Sequence, residues 1–219
     1  MIGELYYVTG IPFEGARKVD ILPSDHQAYN LHGHSFFARV RAKFSFTQSS
    51  FSGSEVSELK DVVSQVVKQL DYSFLNDHLT TPTDENLARW VRDRIQIPSL
   101  DVVGIQSTSN QGVDLDENDT AHIWRRFRFE SAHKLPNVPD GHQCGRMHGH
   151  GFEVIIHASQ NIDGQDIGVD FDHIEKLWQP IQSELHMACL NDIPGLQNPT
   201  SEVLASWIWK RLKPKLEEL

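Results

Sequence analysis

The segment "HSFFARVRAKFSF", residues 34–46, alternates with a period of two. Phe36, Ala38, Val40, Ala42, Phe44 and Phe46 share one parity, and the other is mostly polar or basic. Successive side chains of a strand point to opposite faces, so this pattern predicts a half-buried strand. The period then changes. In "SELKDVVSQVVKQL", Leu59, Val62, Val63, Val66, Val67 and Leu70 form one helical stripe. A second helix is predicted after Pro82, a good first-turn residue, with Leu87, Trp90 and Val91 turned inward. Strand character returns in "LDVVGIQSTS", with a further short strand expected after it. The order strand, strand, helix, helix, strand then begins again. Strands are predicted around 122–134 and 150–158, and helices around 170–187 and 200–213. Asp170 in "GVDF" is placed at a helix N-cap.

Short motifs recur in the same order. "FEGARK" (13–18) pairs with "FESAHK" (129–134), and "LHGHSF" (31–36) with "MHGHGF" (147–152). "FLND" (74–77) pairs with "CLND" (189–192), and "PTDENLARW" (82–90) with "PTSEVLASW" (199–207). The spacing is nearly constant: Phe13 to Phe129 and His32 to His148 are both 116 positions. A tandem duplication follows, with units 1–118 and 119–219 joined near the polar stretch "DLDENDT". After Trp90 the first unit continues through a strand region, whereas the chain ends within twelve residues of Trp207. The second unit is therefore expected to lack its closing strands here. Either the protein continues, or another segment covers an exposed sheet edge.

Composition narrows the class. A chain of 219 residues with 39% hydrophobic and 23% charged residues has enough apolar content for packed cores. The formal net charge of -10 argues against a general nucleic-acid binder, which carries a basic excess. No apolar run approaches the roughly 20 residues of a membrane span. The N-terminus lacks the charged-then-apolar order of a signal peptide. Two cysteines, Cys144 and Cys189, do not make a disulfide framework, so a cytoplasmic protein is expected. Cys189 is read as a packing residue, as are Trp90 and Trp207.

The candidate chemistry lies in the histidines. His148 and His150 share strand parity with Phe152, Val154 and Ile156, and His133 shares it with Ile123, Phe127, Phe129 and Ser131. If the two strands pair, three imidazoles converge on the core side of one sheet. Hydrogen-bonded core histidines are the plain reading of any one of them. Three together with a vacant fourth position is the pattern of catalytic zinc. Cys144 is then either a fourth ligand of a closed site or a nearby thiol acting as base or nucleophile. In the first unit Arg17 stands where His133 does, and Ala28 where Cys144 does. A guanidinium aimed at His32 and His34 cannot ligate a metal and repels a cation, so the first site is expected to be empty.

"FESAH…CGRMHGHGF…GVDFDHIEKLW…CLNDIPGLQNPTSEVLASWIW" resembles the 6-pyruvoyl-tetrahydropterin synthase family, most of all the bacterial 6-carboxy-tetrahydropterin synthases of queuosine (7-deazaguanine) biosynthesis. The resemblance covers nearly all of 122–219 and extends weakly over the first unit. It implies an α+β tunnelling fold (T-fold): an antiparallel four-stranded sheet with two helices on one face. Such units assemble into β-barrels, so a two-unit chain is expected to form a homo-oligomer, a trimer building stacked barrels. It also implies a lyase that converts 7,8-dihydroneopterin triphosphate to 6-carboxy-tetrahydropterin, releasing triphosphate and acetaldehyde. Carried over residue by residue, the zinc ligands are His133, His148 and His150, and the general base is Cys144. The alternatives are a 6-pyruvoyl-tetrahydropterin synthase, or a non-catalytic module that binds zinc and a pterin.

Two features depart from the family pattern. Its "Leu-Asp-His" motif, which tunes the cysteine, reads Leu185-His186-Met187 here and Leu70-Asp71-Tyr72 in the first unit. His186 is the substitute candidate partner of Cys144, and His142 a second one. The family's pterin-anchoring glutamate falls beyond residue 219, and Ser107 holds that place in the first unit. Loss of such a charge-assisted contact costs about 1.5–3 kcal/mol. Lys134 and Arg146 flank the metal residues as candidate phosphate contacts.

Overall fold

A computed structural model describes residues 5–43, 53–97, 99–160 and 170–216. The chain divides into two compact units, Met1–Trp124 with His157–Gly168, and Arg125–Ile156 with Val169–Leu219. Both are α+β.

In the first unit β1 (Tyr6–Arg17) and β2 (His32–Lys43) pair antiparallel with Arg17 opposite His32. β2 pairs antiparallel with β4 (Leu100–Thr108), and β4 with β5 (Gln111–Leu115). The expected four antiparallel strands are present. The two-residue β3 (Ser73–Phe74) adds to β1 in parallel and makes the sheet mixed. The period-two pattern is realised: Phe36, Ala38, Val40 and Ala42 are buried. Phe44 and Phe46, expected to extend that face, lie outside the described residues. Helix α1 (Glu55–Val67) packs on β1, and α2 (Asp84–Arg94) on β4 and β5. Leu59, Val63, Val66, Val67, Leu87, Ala88 and Val91 supply the helical side of the core. Pro82 does not open α2. Thr83 is the N-cap, its side chain accepting from the Asn86 N–H, and Asp84 is the first helical residue.

Most of β6 (Ala121–His133) and of β7 (His148–Gln160), which lie side by side, belongs to the second unit. The two-residue β8 (Ala188–Cys189) pairs in parallel with β6. Among the described residues no strand pairs with the outer edge of β7, so this sheet is not closed. Helices α3 (Phe171–Leu185) and α4 (Ser201–Leu216) follow, with Asp170 capping α3 as expected. Trp178, Ile174, Ile181, Leu185, Phe129 and Leu190 fill the core.

The duplication reaches the level of side-chain contacts. Phe13 stacks on Phe36 with ring centres 4.9 Å apart, and Phe129 on Phe152 at 5.0 Å. Arg94 sits over Trp90, and Arg211 over Trp207. Among the described residues no helix is long and apolar enough to cross a membrane.

Candidate metal centre

His133 ends β6, and His148 and His150 begin β7. The strand alternation places all three imidazoles on one face, with ring centres 4.6 Å (133–148), 5.0 Å (133–150) and 5.8 Å (148–150) apart. One ring nitrogen from each lies within 4.8 Å of the other two, close enough to hold a metal ion. His133 is buried, His148 half-buried and His150 exposed, so the cluster opens outward at His150.

The tautomers follow from the partners. His133 Nδ1 faces the Pro199 carbonyl at 3.2 Å, His148 Nδ1 the Arg146 carbonyl at 2.8 Å, and His150 Nδ1 the Gly151 carbonyl at 3.2 Å. A carbonyl oxygen only accepts, so each Nδ1 carries the hydrogen and each Nε2 keeps its lone pair. His133 Nε2 and His150 Nε2 then point their lone pairs at one another across 3.1 Å. Two acceptors this close repel unless a cation lies between them. Two nitrogens bound tetrahedrally to zinc at 2.0–2.1 Å stand about 3.3 Å apart, so the donor set fits that ion. Burial, followed by the neighbouring imidazoles His148 and His150, lowers the pKa of His133 despite its bond to Pro199. This favours the neutral, ligating form.

Several residues with no chemistry of their own shape the site. Asn191 Oδ1 accepts the Lys134 N–H at 2.8 Å, and its Nδ2 donates to the carbonyls of Lys134 (2.9 Å) and Gln197 (3.1 Å). It thereby holds the end of β6, and with it His133. Asn76 does the same for Lys18 in the first unit, which explains the repeated "LND". The glycine between the two histidines also lies close against the neighbouring strand. A Cβ on Gly149 would lie 3.2 Å from the Ser131 carbonyl oxygen, and one on Gly33 3.2 Å from that of Gly15. Both positions were visible in the sequence only as repeats.

The remaining candidates are dispersed. Cys144 is half-buried on a short turn after His142, and it is not part of the group whose ligand atoms all lie within 4.8 Å. His142 Nδ1 accepts the Cys144 N–H at 3.1 Å, as His26 accepts that of Ala28, so these histidines build the turn. His186 is engaged with Glu130: its Nδ1 takes the Glu130 N–H at 3.2 Å and lies 3.4 Å from the carboxylate. Asp71 takes the Glu14 N–H in the same way at 2.9 Å. The next residue, Met187 or Tyr72, has positive φ (57° and 52°) and is exposed. Lys134 and Arg146 are exposed, the latter orienting His148 through its carbonyl. Cys189 is half-buried on β8.

In the first unit Arg17 takes the place of His133. Its Nη1 donates to the Pro82 carbonyl at 3.0 Å and to Asp84 Oδ1 at 2.6 Å, and its Nε donates to His32 Nε2 at 3.3 Å. Ser107 is buried and donates to Asp84 Oδ2 at 2.6 Å. Burial, and then the Arg17 charge, lower the pKa of His34 to about 4.

A family model described as 6-pyruvoyl tetrahydropterin synthase matches residues 11–121 and again 122–219. A 6-carboxy-5,6,7,8-tetrahydropterin synthase from Synechocystis sp. is 35% identical over 97 residues, covering 42% of this chain and 74% of the relative. A dihydroneopterin monophosphate aldolase from Pyrococcus furiosus is 38% identical over 84 residues, covering 38% of this chain and 68% of the relative. The 6-pyruvoyl tetrahydropterin synthase structure from Caenorhabditis elegans overlays 49% of this chain and 91% of its own, at 20% identity and a TM-score of 0.41.

Proposed function

This chain belongs to the 6-pyruvoyl tetrahydropterin synthase family, whose pattern it carries twice, and from that premise we propose that its second unit is a zinc-dependent lyase of the 6-carboxy-tetrahydropterin synthase type. The substrate in this reading is 7,8-dihydroneopterin triphosphate and the product 6-carboxy-tetrahydropterin, on the route to queuosine. The observation that carries it is the 3.1 Å approach of the His133 and His150 Nε2 atoms, each ring turning its Nδ1 to a carbonyl, with His148 beside them. The 35% identity to a 6-carboxy-5,6,7,8-tetrahydropterin synthase supports the choice of branch.

His133, His148 and His150 would hold the zinc ion. When bound, it supplies Lewis acidity toward a substrate hydroxyl oxygen. The Pro199, Arg146 and Gly151 carbonyls fix the ring tautomers and so keep the ligating nitrogens deprotonated. Cys144 serves as general base, and Lys134 and Arg146 offer positive charge to the phosphates from exposed positions. The reading places the protein in the cytoplasm as a homo-oligomer, a trimer of two-unit chains, with a neighbouring copy covering the outer edge of β7.

A second reading, a zinc- and pterin-binding module without turnover, is favoured by Met187. The resemblance puts a histidine there, and the exposed thioether cannot relay a proton. The test is to incubate zinc-loaded full-length chain with 7,8-dihydroneopterin triphosphate and follow triphosphate and acetaldehyde release. Product from the wild type and at least 100-fold less from Cys144→Ala is expected. No product, or equal product from the variant, refutes the catalytic reading. Turnover of dihydroneopterin monophosphate instead would move the assignment to the aldolase branch.

A further inference from the structure

The exchange at position 17 does more than remove a ligand. Two features around it are the same in both units: the carbonyl of Pro82 or Pro199, and the first imidazole of His-Gly-His. The guanidinium uses both, donating to Pro82 O at 3.0 Å and to His32 Nε2 at 3.3 Å. His32 has the tautomer of its twin His148, with Nδ1 toward a carbonyl (Asn30 O, 2.7 Å), so its only lone pair is already taken by Arg17. The added positive charge is met by Asp84 at 2.6 Å, where the second unit has the uncharged, exposed Ser201. The remaining Asp84 oxygen is taken by Ser107 at 2.6 Å. The Arg17 and Asp84 side chains are 7% and 1% exposed, so the pair is closed off from water. A guanidinium does not deprotonate in proteins, so this charge is permanent. In the second unit the corresponding nitrogens, His133 Nε2 and His150 Nε2, instead face each other at 3.1 Å.

We propose that the Arg17 guanidinium, balanced by Asp84, is a built-in cation occupying the metal position of the first unit, so that each chain takes up one metal ion and not two. Two linked exchanges, His to Arg and Ser to Asp relative to the second unit, account for the change. Reversing both, Arg17→His with Asp84→Ser, regenerates a three-imidazole site with His32 and His34. The inference rests on the reading of His133, His148 and His150 as a metal site, and the test separates the two.

Metal-free full-length chain is dialysed against zinc or cobalt(II), and bound metal is counted per chain, with the cobalt absorption spectrum reporting imidazole ligation. One equivalent is expected for the wild type and none for His148→Ala. One equivalent is expected again for the triple variant Arg17→His/Asp84→Ser/His148→Ala. One equivalent retained by His148→Ala, or none taken up by a folded triple variant, overturns the proposal. A wild type that binds nothing, beside a triple variant that binds one, instead sinks the metal reading of the second unit and the count of one per chain with it, and supports only the blocking of the first site by Arg17. If the triple variant does not fold, the His148→Ala count decides, since that variant leaves the Arg17 site untouched.

Discussion

Replacing Asp84 with alanine isolates the energetic role of the ion pair. The change removes the 2.6 Å contact to Arg17 and the 2.6 Å acceptor of Ser107. It leaves a guanidinium with 7% side-chain exposure facing Pro82 O and His32 without its ion-pair partner. Breaking a buried pair by deleting one partner costs about 3–5 kcal/mol, because the survivor stays charged and desolvated. With a urea m-value of about 2 kcal/mol/M, the first unit's midpoint should fall by about 2 M. Ser201→Ala, the matching change in the second unit, removes an exposed hydroxyl and should shift stability by no more than about 0.5 kcal/mol. Urea titrations followed by tryptophan fluorescence and by circular dichroism measure both. The double variant Arg17→Met/Asp84→Leu should recover most of the loss, since apolar side chains of similar volume replace a buried pair at little cost. A loss below about 1 kcal/mol for Asp84→Ala, or no recovery in the double variant, refutes the argument: the carboxylate would then act through packing and not charge.

Three further outcomes follow. His34 titrates near 4 in the folded chain against an ordinary 6.5, so between those values the unfolded chain binds the extra proton. Its contribution is therefore complete above pH 6.5 and is lost as pH falls through about 4; His34→Gln should flatten the pH dependence of the urea midpoint over that window, and equal slopes would count against it. Gly149→Ala presses a Cβ to 3.2 Å from the Ser131 carbonyl and should cost about 1–3 kcal/mol in thermal melts. In Gly151→Ala the Cβ meets only the end of the Arg128 side chain, which can swing into solvent, so this variant should stay within about 0.5 kcal/mol of wild type.

Residues 71–72 and 186–187 show where reading by motif stops. Position by position they match a family's Asp-His pair, which draws attention to His186 as a partner for Cys144. The structure shows Asp71 and His186 doing one job, accepting the N–H of Glu14 and Glu130. An aspartate and a histidine can exchange there because both present an acceptor at the required place. The residue after each is held at positive φ with its own N–H donated at 2.7 Å to the Glu14 or Glu130 carbonyl, which turns the side chain into solvent. Neither fact leaves a trace in periodicity.

The sequence by itself determined the duplication, the α+β order of elements and the placing of His133, His148 and His150 on the apolar faces of their strands, because strand alternation and helical spacing are local rules that burial of apolar faces enforces. It also showed Arg17 standing where the second unit has His133. Only the tertiary structure decided what answers that arginine. Asp84 and Ser107 lie 67 and 90 positions away in the chain, on a helix start and a strand, and read singly as an ordinary first-turn acid and a small polar residue. A buried charge must find its partner in space and not in sequence, and the fold brings Asp84 to 2.6 Å. The ring tautomers were settled in the same way, by the carbonyls of Pro199, Arg146 and Gly151, whose directions depend on how the chain is folded around the imidazoles.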